Sequence, residues 1–405
     1  MNHPYYIFAP GYTSSSEGKV ALHHLCHALN TAGQEAWIFF ADKVDPKLAT
    51  PKLTLDLCRQ HETDGRAAIG VYPETIGENL LRTPVCVHYL LNKEGLITGS
   101  KVNAEDGDLF FYYSRACTPE PQGEFDFLSP PLYDLDLFKP DPRRTHLKPF
   151  LYINRIPEAA IDFSALPLDI EILSNQRPVP LPKLAEILQG ASVLYTYEFS
   201  GTNVLAMLCG CPVLILEHPQ YRQLGHTAAH LAVYPGKGYT FSDTPEEIEQ
   251  ARLHLPKILD TIRAGNHHFF QSQLPHFIRK TQTAAQEIAL AGSAPLPSHE
   301  FPRLVIRMTL LLAIQAFNRG ENETAIYYLN QVVRFEPDNP IIYVHMALVC
   351  VRISQIEQAE ALIAHALALA PERRDFLTMI GKEFLKNGHS AAAARYLEKT
   401  SPEFL

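Results

Sequence analysis

The stretch YTYEFSGTNVLAMLCGCPVLIL, from Tyr195 to Leu216, contains the pattern that decides the fold of this chain. A run rich in strand-forming residues ends on a lone acid, Glu198, and Ser200 and Gly201 then precede a helical run of small and apolar residues. A second apolar run, PVLIL, follows a Cys-Gly-Cys sequence that ends the helix. Strand, helix and strand in this order predict a βαβ unit, in which the helix crosses between two parallel strands.

Strand and helix patterns alternate in the same way through the first three hundred residues. Runs such as YYIFA, EAWIFFA, AAIGVYPE and DLFFYYS predict strands before residue 118, and PFLYINR, DIEILSN and SVLYTYE predict strands after residue 149. LLRTPVCVHYLLN is predicted to form a helix that ends at Gly95. Because a Pro-rich stretch at 118–149 separates the two series, we expect an α/β fold with two Rossmann-like domains, at 1–145 and 146–290, the second including the trailing helices. The carboxyl ends of their strands would face a shared cleft, where such folds bind ligands.

The last hundred residues contain an internal repeat, in which small residues recur every 34 residues at three places in each unit. These positions, with the proline that closes each unit, are Ala313, Ala347 and Gly381; Gly320, Ser354 and Gly388; Ala325, Ala359 and Ala393; and Pro337 and Pro371. The pattern resembles the tetratricopeptide repeat and predicts an all-α array at 303–405, after a linker at 291–302. Such arrays form a groove that binds proteins or peptides. The open alternatives are support of the neighbouring domain and self-association.

Composition limits the possible partners of the chain. Its 405 residues, 46% of them hydrophobic, are too many for one ordinary core and typical of a globular protein of two or three domains. The net charge of −9 disfavours nucleic acid as a partner. The start MNHPYYIFAPG does not resemble a signal peptide, and no apolar run approaches the roughly 20 residues that span a bilayer. Seven scattered cysteines fit reduced thiols in the cytoplasm.

The start of the helix after Glu198 is the candidate anion site. A helix N-terminus offers unpaired N–H groups and about half a positive charge, which together can hold a phosphate. Ser200 is a favourable N-cap residue, and Gly201 lets a ligand approach the backbone. Because Glu198 ends a predicted strand, we expect it at the cleft, near a sugar or ribose hydroxyl. The alternative is that Glu198 caps its own helix.

Other candidate groups are fewer. Glu74 ends the predicted strand AAIGVYPE, where an inverting enzyme would need a general base for an acceptor hydroxyl, and otherwise it caps the segment NLLRTPVCVH. His23 and His27 lie one helical turn apart, but no thiol or acidic ligand is expected beside them. Cys209 and Cys211 lack the spacing of zinc or dithiol sites and are predicted to pack in the core. The one Asp-x-Asp pair, Asp134 and Asp136, does not end a convincing strand, so we expect no required divalent metal ion.

The stretch from Tyr195 to Leu216 resembles the donor-site segment of bacterial GT-B glycosyltransferases of the retaining, sugar-nucleotide-dependent type. APGYTSSSEGKVALHHLCHALNTAGQEAWIFF resembles their first strand, glycine-containing loop and first helix. VYPETIGENL and HYLLNKEG resemble further segments of a subgroup that assembles polysaccharides. Together these segments cover roughly residues 4 to 255.

The resemblance implies roles for particular residues. Four residues would face the donor diphosphate: Ser200, Gly201, Thr202 and Asn203. Three would line the cleft from the first domain: Gly11, Gly18 and Lys19. Arg155 stands where the family carries a basic residue that neutralises the leaving diphosphate, a charge that grows in the transition state. The sequence departs from the family at Leu205, where the family carries a second Glu, at Glu17, where it carries Gly, and at Arg155, where the usual basic residue is Lys.

The resemblance thus implies a hexosyltransferase-like enzyme of the cytoplasm, with a peripheral position at the inner membrane left open. It would transfer a sugar from a nucleotide-sugar donor to a glycan, a lipid-linked glycan or a protein, without a required cofactor. A catalytically degenerate scaffold that binds a protein partner is the first alternative, and Leu205 favours it. A nucleotide-sugar epimerase on the same two-domain fold is the second alternative.

Overall fold

The computed structural model describes residues 2–41, 43–97, 99, 101–144, 148–154, 156, 158–174, 177–198, 200–218, 238–291, 300–318, 320–333 and 336–400. The chain divides into two compact units, Met1–Pro295 and Leu296–Leu405. The first unit contains two five-stranded parallel sheets, and the second is helical wherever it is described and regular. Most of the predicted linker at 291–302 lies outside the described residues.

The first sheet has the order β2-β1-β3-β4-β5, and all of its strands are parallel. Its strands are β1 (Tyr5–Phe8), β2 (Ala36–Phe39), β3 (Ile69–Pro73), β4 (Val85–Leu90) and β5 (Leu109–Tyr112). Two helices connect its first three strands, α1 (Glu17–Thr31) and α2 (Leu55–Thr63). The strands are buried almost throughout, as expected for a parallel sheet that is covered on both faces.

One element of this half differs from the prediction. The segment LLRTPVCVHYLLN contains β4 and not a helix, and residues 74–84 join β3 to β4 through turns alone. A strand buried on both faces has a continuous apolar sequence without alternation, and such a sequence is easily confused with a buried helix. The predicted helix that Glu74 was to cap is therefore absent from this described segment.

The second sheet has the order β10-β9-β8-β6-β7 and is also parallel. Its strands are β6 (Lys148–Ile153), β7 (Glu171–Ser174), β8 (Ala191–Thr196), β9 (Val213–Ile215) and β10 (Tyr239–Thr240). Helix α3 (Leu181–Gly190) precedes β8, and α4 (Gly201–Leu208) connects β8 to β9. The predicted βαβ unit is thus present, and Cys209 and Cys211 are buried in the core beneath it.

Three helices end the first unit: α5 (Pro245–His254), α6 (Pro256–His268) and α7 (Leu274–Leu290), with a π-helical segment, Phe269–Gln273, between the last two. Helix α7 packs on the first sheet, because Phe277 is buried in that core and Thr281 shares a 2.8 Å hydrogen bond with the hydroxyl of Tyr5. The trailing helices were predicted to belong to the second domain. The last of them instead completes the core of the first.

The described residues of the second unit form three helix pairs: α8 (Glu300–Asn318) with α9 (Asn322–Val333), α10 (Pro340–Arg352) with α11 (Ile356–Leu369), and α12 (Arg374–Lys386) with α13 (Ser390–Leu397). The turn inside each pair contains a residue of positive φ, at Gly320 (80°), Ser354 (62°) and Gly388 (82°). These are the positions that the 34-residue spacing marked, while the tetratricopeptide assignment itself stays a prediction. No described helix has both the length and the apolarity needed to cross a membrane.

Candidate functional site

A cavity of about 890 Å³ in the first unit is lined by residues of both halves. The first half contributes the start of α1, including Glu17 and Gly18, and residues of the segments that follow β2 and β4. The second half contributes Asn154 after β6, Ser174 at the end of β7 and the first turn of α4. The cavity therefore lies where the carboxyl ends of both parallel sheets meet, as the fold predicts for a ligand site.

The first turn of α4 forms part of the cavity wall through Ser200, Gly201 and Thr202. Ser200 has the extended backbone of an N-cap residue, with φ −149° and ψ 161°. Its side chain makes no capping bond and instead donates to Oδ1 of Asn203 at 3.3 Å. Asn203 is buried behind this turn and donates from Nδ2 to the carbonyl oxygen of Glu198 at 2.8 Å. Three of the four predicted diphosphate residues thus line the cavity, and the fourth supports them from behind.

Glu198 lies beneath the cavity and is only 1% exposed. Its Oε1 accepts hydrogen bonds from the backbone N–H groups of Asn154 at 3.1 Å and Ile156 at 3.0 Å. These bonds tie the end of β8 to the loop after β6, and Glu198 is absent from the described residues that line the cavity. The expectation that its carboxylate would face the cleft is wrong. The carboxylate is buried and accepts hydrogen bonds from backbone N–H groups of the neighbouring loop. Arg155, which lies between the two bonded residues, is outside the described residues.

The carboxylate that reaches the start of α4 belongs to Glu17, in the other half of the unit. A Cβ atom at Gly201 would lie 2.7 Å from Cδ of Glu17 and 2.8 Å from each of its carboxylate oxygens. The hydroxyl of Tyr133 donates a hydrogen bond to Oε1 of the same carboxylate. A negative group is stabilised at a helix N-terminus. The chain's own carboxylate therefore packs against the residue where a phosphate was expected to bind.

The departure from the family at Glu17 is the sequence signal for this contact with Gly201. A glycine at this position would leave the start of α4 open. The glutamate instead adds a side chain long enough to reach Gly201 across the cavity.

Glu74 lies directly behind the cavity wall and is 3% exposed. Its carboxylate accepts hydrogen bonds from the backbone N–H of Leu91 and from Nδ2 of Asn92, both at 2.9 Å, and both of those residues line the cavity. Burial raises the pKa of Glu74, while the bonds to Asn92 and Leu91 oppose that shift. The geometry suits a residue that holds the wall in place.

The remaining predicted cleft residues divide into two groups. Gly18 lines the cavity, whereas Gly11 and Lys19 are partly buried next to lining residues without lining it themselves. The side chain of Leu205, where the family carries a carboxylate, also lines the cavity. Positive charge among the described lining residues comes from Lys47 and Arg177.

Two histidines of α1 line the cavity, His24 and His27. Nδ1 of His24 donates to the carbonyl oxygen of Pro131 at 2.6 Å, and burial lowers the pKa of His24. Nδ1 of His27 accepts the backbone N–H of Ala49 at 3.0 Å, so that this nitrogen carries no proton. The ring of His24 therefore presents neutral imidazole to this side of the cavity at pH 7.

Comparison with known proteins gives structural matches only. No protein family model matches the chain, and no curated protein matches it. A mutant of the O-GlcNAc transferase of Thermobaculum terrenum is 16% identical over 71% of this chain and 69% of that chain, with a TM-score of 0.39. The glycosyltransferase SnogD of Streptomyces nogalater is 14% identical over 72% of this chain and 100% of its own, with a TM-score of 0.35. MurG of Acinetobacter baumannii is 10% identical over 70% and 100%, with a TM-score of 0.36.

Proposed function

We propose that the first unit is a glycosyltransferase that transfers a sugar from a nucleotide-sugar donor to a hydroxyl group of a glycan, a lipid-linked glycan or a protein. The observation that carries this proposal is the first turn of α4 in the wall of a cavity between the ends of two parallel sheets. Backbone N–H groups and the helix dipole at such a turn bind phosphate. A volume of about 890 Å³ is at the upper end of the range for small-molecule sites and suits a donor together with an acceptor.

Six of the predicted residues have a role in this scheme. Ser200, Gly201 and Thr202 would contact the donor diphosphate, and Arg155 would neutralise the diphosphate as it leaves. Glu198 would act as a positioning residue, since it binds the backbone N–H groups on both sides of Arg155. Glu74 would also act as a positioning residue, in the first half. A general base must reach the acceptor proton, whereas the carboxylate of Glu74 is bonded to Leu91 and Asn92. That arrangement favours a retaining over an inverting reaction.

Other residues that line the cavity suit a sugar-like acceptor. Tyr12, Tyr133 and Tyr152 line it together with the neutral imidazole of His24. Tyrosine rings offer an apolar surface beside a polar hydroxyl, which matches the alternating character of a sugar ring. The cytoplasmic location, the peripheral membrane position and a protein partner bound by the helix pairs remain proposals of the same kind.

The test is a binding measurement with a charge-matched pair of variants. Purified protein is screened by thermal shift against UDP-, GDP-, CMP- and dTDP-sugars, because a donor at about 100 times its Kd adds roughly 2.7 kcal/mol to the unfolding free energy. Thr202→Glu and Thr202→Gln are then compared by isothermal titration calorimetry. Both replace the hydroxyl with a longer side chain, but only the first adds a negative charge, so it should weaken donor binding at least about tenfold more. The proposal would be refuted if none of the donors bound, or if the two variants had equal affinity for the donor.

A scaffold without catalysis is the second candidate, and two observations favour it. The carboxylate of Glu17 packs on Gly201, and Leu205 offers no carboxylate to a donor hydroxyl. A scaffold of this kind would bind a partner through the helix pairs and would show neither donor hydrolysis nor transfer. Release of nucleotide from a donor that binds, with or without an acceptor, separates the two candidates.

A further inference from the structure

Three side chains on one face of the first sheet bring metal-binding atoms together, away from the cavity. Cys86 and His88 are two residues apart on β4 and therefore point to the same face, and Asp108 directly precedes β5. Nε2 of His88 lies 2.7 Å from Oδ2 of Asp108 and 3.6 Å from Sγ of Cys86. All three ligand atoms lie within 4.8 Å of one another, and no other group of three meets this condition among the described residues.

The cluster is buried, since Cys86 is 3% exposed, His88 is 0% exposed and the side chain of Asp108 is 11% exposed. A Cys–His–acid relay would use the two ring nitrogens separately, one for the thiol and one for the carboxylate. Here both partners approach Nε2, and Nδ1 of His88 has no hydrogen-bond partner among the described residues. Convergence of three ligand atoms on one point does not suit nucleophilic chemistry. It is the arrangement of a metal site.

We propose that Cys86, His88 and Asp108 bind one Zn²⁺ ion. Thiolate, imidazole and carboxylate are the ligands that Zn²⁺ takes in proteins, with bond lengths of about 2.3, 2.0 and 2.0 Å. A tetrahedral ion with these bonds separates sulfur from nitrogen by about 3.5 Å and nitrogen from oxygen by about 3.3 Å. The observed sulfur–nitrogen distance of 3.6 Å already fits.

The nitrogen–oxygen distance of 2.7 Å is that of a hydrogen bond, so a proton joins His88 to Asp108 in the metal-free form. Binding of Zn²⁺ would replace this proton and the thiol proton of Cys86, and both protons would go to solvent. The carboxylate would then move outward by about 0.6 Å to reach its bonding distance. Asp108 is the most exposed of the three ligands and can make that movement. Water would take the fourth position.

Neighbouring groups already hold two of the ligands in place. The ring of Phe110 lies 5.1 Å from the ring of His88, and the backbone N–H of Glu105 donates to Oδ2 of Asp108 at 3.0 Å. Such outer contacts orient the ligands of protein metal sites. The ion would join β4 to the start of β5, on either side of the segment 91–107, whose first two residues, Leu91 and Asn92, line the cavity. The ion would therefore fix both ends of that segment.

The experiment measures bound zinc in the full chain. Protein is dialysed against Zn²⁺, freed of excess by gel filtration and assayed by mass spectrometry, and Co²⁺ is used as a spectroscopic substitute. We expect one Zn²⁺ per chain, a near-ultraviolet charge-transfer band from a Co²⁺–thiolate bond, and a higher Tm with metal than after chelation. Cys86→Ser should remove the band, and Asp108→Asn, which removes a ligand and not only an outer contact, should weaken Zn²⁺ binding by at least about 100-fold.

Cys117→Ser is the matched control, because it removes another buried cysteine of the same half and should leave zinc binding unchanged. Wild-type protein without stoichiometric zinc would overturn the proposal. So would zinc that binds equally well to Cys86→Ser and Asp108→Asn, since this would be adventitious binding to other surface groups. If Cys86→Ser fails to fold, Asp108→Asn and the wild-type Co²⁺ spectrum decide the question.

Discussion

Replacing Glu17 with alanine should tighten the binding of a nucleotide diphosphate, if the first turn of α4 is the phosphate site. In the structure the carboxylate of Glu17 packs on Gly201 and accepts a hydrogen bond from Tyr133. A diphosphate at the same turn would have to displace this carboxylate. It would also be repelled by the carboxylate for as long as the two negative groups stayed close.

The magnitude follows from the contacts that the wild-type chain gives up. A hydrogen bond to a charged group contributes about 1.5–3 kcal/mol, and a carboxylate at a helix N-terminus about 0.3–1 kcal/mol. Hydration of the released carboxylate recovers part of this, which leaves a cost of about 2 kcal/mol. Without that cost the Kd should fall roughly 30-fold. Glu17→Gln keeps an acceptor for Tyr133 and removes the charge, so its effect should be intermediate.

Isothermal titration calorimetry with UDP, GDP, CMP and dTDP, and with their sugars, measures the effect. Asp45→Asn is the matched control, since Asp45 also lines the cavity but has no described contact with α4. Glu17→Ala should also lower the Tm of the free protein, because it loses the Tyr133 bond, so affinity and stability should change in opposite directions. An unchanged or weaker affinity in Glu17→Ala, beside measurable wild-type binding, would refute the role of Glu17. Absence of binding in every variant would instead refute the proposed donor site.

Three further predictions address other parts of the chain. In Gly201→Ala the new methyl group would lie 2.7 Å from Cδ of Glu17 and would fill the space of a phosphate. Donor affinity, measured by calorimetry, should therefore fall at least about tenfold. An unchanged affinity would contradict the proposed phosphate site. Burial raises the pKa of Glu74 above its ordinary value of 4.5, so the folded chain holds that proton more tightly than the unfolded chain. The stability from Glu74 is therefore complete below its unfolded pKa and is lost as pH rises through its folded pKa. Urea unfolding should show the stability of wild type relative to Glu74→Gln decreasing from pH 4.5 upwards, and a pH-independent difference would contradict this assignment. Ser354→Gly should raise the unfolding free energy of the second unit by about 1 kcal/mol, because Ser354 has a φ of 62°, and thermal unfolding of Gly388→Ser (φ 82°) should show the opposite change.

Much of the fold followed from local patterns in the sequence. The order β8, α4, β9 was predictable because a strand run, a capped run of small residues and a second strand run are adjacent in the chain. The helix pairs followed from the 34-residue spacing, and all three marked turn positions have positive φ. Helix α7 was assigned to the wrong half, because its apolar face does not reveal which of two similar sheets it covers.

The site was predictable in position but not in its acidic contacts. The carboxyl ends of parallel strands define where a cavity forms, and this is a property of topology. The partner of a single carboxylate depends on groups far away in the chain. Glu198 binds backbone N–H groups more than 40 residues before it, and the hydroxyl that binds Glu17 is 116 residues away. Glu198, at a strand end, therefore indicated the correct position of the site. The acid that contacts the start of α4 is Glu17, from the other half.

The error at β4 also concealed the proposed zinc site. Residues two apart on a helix point in different directions, so Cys86 and His88 could not share an ion if their segment were helical. On a strand the same two residues lie on one face, and the pairing of β4 with β5 brings Asp108 next to them. With the segment predicted as a helix, nothing in the sequence indicated a metal site at Cys86 and His88. The assignment of a segment as strand or helix thus decides which side chains can meet, and with it which chemistry the segment can carry.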